Sequence, residues 1–81
     1  MTATVHAFPL QRHTVDDIVS AANRKCDALR AYMAARTDDN RAALIEAHRD
    51  LLTAQHRGDA AQVAEGMRRF ERDLNLAEEL P

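Results

Sequence analysis

Almost nothing in this chain can stop a helix. Its two prolines, Pro9 and Pro81, lie towards the ends, and its only glycines are Gly58 and Gly66. Alanine, the strongest helix former, fills 16 of the 81 positions. Proline removes an amide and clashes with the preceding turn, and glycine loses the most backbone entropy on ordering. Where both are scarce and alanine is abundant, long helices win over strands and turns. The expectation is an all-α fold.

The few punctuating residues place the boundaries. Residues 1–13 read as a loose or extended N-terminal arm, and residues 14–81 as a helical unit with helices at about 14–36, 39–57 and 59–80. Thr14 is a candidate cap for the first, with Asp17 three residues on. Thr37-Asp38-Asp39 supplies a short loop, a second cap and acidic residues at a positive helix end. Gly58 suits the left-handed position after the second helix, and Asp59 caps the third with Gln62 at the box position. Helices of roughly 34, 27 and 31 Å at 1.5 Å per residue, joined by short connections, favour a three-helix antiparallel bundle running up-down-up. The alternative is a helical hairpin whose first helix swaps into a second chain.

The core available to such a bundle is thin. Leu, Ile, Val and Phe together number 16, so about a fifth of the chain carries a large aliphatic or phenyl side chain. Placing residues at 100° intervals shows how this material is distributed. On the third helix Val63, Met67, Phe70, Leu74 and Ala77 form one narrow stripe. On the first, Val15, Ile18, Val19, Ala22, Cys26, Leu29 and Met33 form a seam beside a second strip of Ala21, Ala28, Tyr32 and Ala35. Together they span about 200°, twice what an outer helix needs. The second helix carries Leu44, Ala47, Leu51 and Ala54 on one side and Ile45 and Leu52 on the other, with His48 and Gln55 between. Two helices thus have more apolar face than one neighbour covers. The expectation is a homodimer, or a larger protein partner, contacting helices one and two through Ala21, Ala28, Tyr32, Ala35, Ile45, His48, Leu52 and Gln55.

Signals for chemistry are weak. Cys26 in mid-seam reads as a buried, inert small hydrophobe. His48 and Gln55 share a face and read as a polar contact that sets register, with a pH-sensitive interface as the sharper alternative. His6, His13, His48 and His56 do not fall at metal-ligand spacings, so no metal or other cofactor is expected, and no nucleophile–base pair or phosphate loop points to catalysis. Arg68, Arg69 and Arg72 are the nearest thing to a nucleic-acid surface. Glu65, Glu71 and Asp73 interleave with them, and residues 59–81 carry a net charge of −3, so nucleic acid is disfavoured. In the arm, Phe8 and Leu10 could lie in a partner's groove.

The stretch from Leu51 to Leu74, turning at Gly58-Asp59, resembles the helix–turn–helix of a tetratricopeptide unit. Ala60 replaces the aromatic usual after that turn, and there is no second copy, whereas such repeats are stable only when several stack. The likeness is that of a common helical hairpin, and no family follows from it. With no apolar run long enough for a membrane helix, no secretion signal and one cysteine, the expected location is the cytoplasm. The expected function is that of a small non-catalytic helical protein acting by protein–protein binding as a regulator, adaptor, inhibitor or accessory subunit. The alternative is a nucleic-acid-associated regulator using the three arginines.

Overall fold

A computed structural model describes the backbone of Thr2–Leu80 and the side chains of residues 15–80. Three helices account for nearly all of it: α1 (Thr2–Ala34), α2 (Asp38–Gln55) and α3 (Ala60–Glu79). There is no strand among the described residues. The chain is all-α.

The first boundary differs from expectation. α1 starts at Thr2, so Thr14 lies inside a helix rather than at its cap, and the stretch expected to be an extended arm is helical. Helix propagation explains the difference. Once the segment from Val15 onward is helical, adding turns needs no new nucleus, and Pro9 adds a cost of about 3 kcal/mol, for a lost hydrogen bond and a steric clash, without forbidding the helix. The contacts expected of Phe8 and Leu10 fall outside the described side chains.

The inner boundaries follow the capping chemistry. Thr37 is extended (φ −94°, ψ 161°), and its hydroxyl oxygen accepts the Asn40 amide at 3.1 Å. The Asn40 side chain then reaches back to donate to the carbonyls of Ala35 (2.8 Å) and Ala31 (3.3 Å), covering the end of α1. Asp59 caps α3 by accepting the Gln62 amide at 3.1 Å. Between them α2 closes with paired reverse bonds. Gly58 N–H donates to the Thr53 carbonyl at 2.9 Å and Arg57 N–H to that of Ala54 at 3.4 Å. Gly58 has the expected positive φ of 77°, but so does Arg57, at 53°. A residue with a Cβ is disfavoured there by about 1 kcal/mol or more. Arg57→Gly should therefore raise stability by about 1 kcal/mol, read as a higher urea midpoint at unchanged slope.

α2 is the middle helix. Backbone approach joins it to both α1 and α3, whereas α1 and α3 come no closer than side-chain contact among the described residues. The first turn of α2 meets the last turns of both neighbours: Asn40 bonds to α1, and Arg41 to Asn75 and Glu78 of α3. The core is Ala21 and Tyr32 of α1, Leu44, Ala47, Leu51 and Leu52 of α2, and Met67 of α3. A central helix needs two apolar sides, and that accounts for the wide arc of α2. Leu52 and His48 face α3, the first against Gly66 and the second stacked on Phe70. Ala54, from the opposite strip, lines a cleft with Ala21 of α1.

Gly66 lies at a close approach of α3 to Leu52 of α2. A Cβ built there would lie 2.7 Å and 2.9 Å from the two methyl carbons of Leu52. Gly66→Val should cost about 2 kcal/mol, because Leu52 is itself buried and must be displaced. Gly66→Ala should be closer to neutral, since the gain in helix propensity offsets a smaller shift. Thermal melts of the two variants test the pair.

Candidate functional site

The two apolar strips of α1 exchange the roles expected of them. Ala21 is 1% exposed and Tyr32 6%, and Ala28 is half-buried, so the strip assigned to a partner is used inside the chain. Although its Ile18 and Ala22 are half-buried, most of the seam assigned to the bundle faces outward: Val15 is 60% exposed, Val19 55%, Leu29 39% and Met33 67%. Cys26 is exposed with them rather than buried. Alanines let two helix backbones come close, and one large residue, Tyr32, then fills the end of the contact. The bulkier seam would have held α1 farther from α2.

Tyr32 also explains why α1 is oriented this way. Its hydroxyl donates to a Glu78 carboxylate oxygen, which Arg41 Nε approaches at 2.9 Å, while Arg41 Nη2 donates to Asn75 Oδ1 at 2.7 Å. One residue from α1, one from α2 and two from α3 thus close one end of the molecule. Arg41, and then Tyr32, hold the Glu78 carboxyl below its usual range by hydrogen bonding to the ionised form. The same bond to Glu78 raises the Tyr32 phenol.

The outward seam has a regular period. Val15, Val19, Ala22, Cys26, Leu29 and Met33 are separated by four, three, four, three and four residues, the alternation of a coiled-coil seam. Along one flank lie Ile18, Lys25 and Tyr32, half-buried or buried against the chain's own helices. Along the other lie Asp16, Asn23 and Arg30, all exposed. The seam therefore has one covered side and one open side.

The remaining expected interface residues are dispersed. Leu52 is buried, Ile45 and His48 are half-buried, and Ala35 and Gln55 are exposed. His48 does not pair with Gln55. Its ring lies 4.0 Å from that of Phe70, centroid to centroid and nearly parallel, and the Lys25 ammonium sits 5.6 Å from the Phe70 centroid. These three side chains tie the three helices together at mid-height.

Other features offer little chemistry. Glu65 pairs with Arg68 and, at 3.3 Å, with Arg69, and Asp73 lies 3.7 Å from Arg72. Each arginine of the nucleic-acid alternative thus has a carboxylate beside it. A cleft of about 530 Å³ between α1 and the end of α2 holds Arg24 and Arg57, matched by Asp17 and Asp50. Among the described residues no group of three His, Cys, Asp or Glu side chains could hold a metal ion, and no helix is long and apolar enough to cross a membrane. Comparison with known protein families, curated proteins and solved structures returns no match.

Proposed function

We propose that this chain is a non-catalytic helical binding protein that engages another protein through the outer face of α1, with its three helices running up-down-up. The observation that carries the reading is the outward seam. Apolar residues at coiled-coil spacing extend over about 27 Å of helix, with Val15, Val19, Leu29 and Met33 two-fifths to two-thirds exposed, Cys26 exposed and Ala22 half-buried between them. Scattered exposed apolar residues need no explanation, but a continuous helical stripe of them does. An isolated helix this apolar on its free side would favour association over exposure. A cytoplasmic location suits the exposed thiol of Cys26, which would be prone to oxidation elsewhere.

The test is a pair of substitutions on the free face, Val19→Ser with Leu29→Ser. Val19 is 55% and Leu29 39% exposed, so the pair should cost about 1–2 kcal/mol and leave helicity below the melt unchanged. Binding, whether to itself or to proteins of the native host, should be lost. Equal binding by the variant would exclude the α1 face as the site.

A further inference from the structure

We infer that the occupant of this face is a second copy of the chain, laid antiparallel along α1. The inference rests on the binding reading above and adds the partner and its direction. In coiled-coil terms Val19, Cys26 and Met33 take the a positions, and Val15, Ala22 and Leu29 the d positions. The flanking e positions are then Asp16, Asn23 and Arg30, and the g positions Ile18, Lys25 and Tyr32. The g side is already packed against the chain's own helices, so the open e side decides which approach is favourable.

An antiparallel copy sets e against e on the open side and g against g on the other, where Lys25 comes opposite Lys25 of the second copy once. With Asn23 opposite Asn23 of the second copy, Asp16 faces Arg30 of the second copy, and the reverse pair forms by symmetry. The flank is electrostatically self-complementary. In the same register the core layers pair Val19 with Leu29, Met33 with Val15 and Cys26 with Ala22 of the other copy. Large meets medium at the ends and small meets small in the middle, so the helices can approach closely at the dyad. Arg30 also lies 3.7 Å from Asp27 of its own chain, but both side chains are about four-fifths exposed, and such a pair contributes little.

A parallel copy sets e against g instead. Arg30 would then face Lys25 of the second copy on both sides, like charge against like twice, with no ion pair to offset it. Two ion pairs set against one like-charge contact favour the antiparallel dimer over the parallel one, which has two like-charge contacts and no ion pair. Its seam is short and its middle layers are small, so a dissociation constant in the micromolar range is expected, on the order of 10 µM.

Sedimentation velocity on the intact chain from about 1 to 200 µM should show a reversible monomer–dimer equilibrium, lost in the Val19→Ser/Leu29→Ser variant. Asp16→Arg should weaken the homodimer about tenfold, and Arg30→Asp likewise, by placing like charges opposite each other twice. Mixing these two single variants should restore association as a heterodimer. Oxidation with diamide should give little Cys26–Cys26 cross-link. The antiparallel register offsets the two cysteines by about 6 Å along the axis, beyond the separation across it, which exceeds disulfide reach. Rapid cross-linking, or failure of the mixed variants to rescue, would overturn the antiparallel arrangement. A wild-type monomer at 200 µM would overturn self-association. If the Val19→Ser/Leu29→Ser variant still lost a host protein that the wild type retains, the broader binding reading would stand without it.

Discussion

Leu44→Ala should lower stability by about 3–5 kcal/mol. Leu44 is 1% exposed and is the one large side chain that is fully buried among the described residues. It stands on the middle helix, so a cavity there loosens contacts on which both neighbours depend. A domain of this length has only about 4–12 kcal/mol in total, and the variant should therefore melt near or below physiological temperature. Leu76→Ala is the control, because Leu76 is 55% exposed and should cost less than about 0.5 kcal/mol. Urea denaturation followed by far-UV circular dichroism measures both. Similar losses in the two variants would show that α2 is not the centre of the core.

The second large effect is a loss of stability in mild acid, centred on His48. Burial, and then the charge of Lys25, lower its pKa from 6.5 to about 4. Its Nδ1 is buried without a hydrogen-bond partner, and its ring is stacked on Phe70. The unfolded chain takes up this proton near pH 6.5, whereas the folded chain resists until about pH 4. Stability from this group is therefore complete above pH 6.5 and falls as the pH drops towards 4. The shift alone would set a ceiling of about 3 kcal/mol; the ring is partly open to solvent, so about 1–2 kcal/mol is the expected loss. His48→Phe should keep the stack and flatten the melting temperature between pH 7.5 and 4.5. Glu78, whose pKa is depressed by Arg41 and Tyr32, gives a separate decline at lower pH as its carboxylate is neutralised. That second decline should persist in His48→Phe.

Local chemistry was legible where a single residue type had one physical use. Thr37 and Asp59 accept the amides that their positions implied, and Gly58 is left-handed, because capping and turn geometry involve only near neighbours. The seam of α3 was legible for a related reason. It has one apolar stripe, so Met67 is buried and Val63, Phe70 and Leu74 half-buried whichever helix they meet. Ala77, at the end of that stripe, is exposed. Arg57 beside Gly58 was missed because its left-handed backbone comes from the paired carbonyl bonds closing α2, not from any preference of arginine.

The candidate site was only half legible. From the sequence, α1 has an apolar arc too wide for one neighbour, and an exposed remainder follows from that width alone. Which half remains exposed depends on the distance between helix axes and on what lies across from each strip. Ala21, Ala28 and Tyr32 win the inner position because small residues permit close approach to α2, and because Glu78 and Arg41, far away in sequence, meet the Tyr32 hydroxyl. Helix content, caps and the excess of apolar surface are thus set by residues acting on their near neighbours. The choice of inner and outer face is a tertiary decision, and it leaves Val15, Val19, Cys26, Leu29 and Met33, expected in the core, exposed on the outer face of α1.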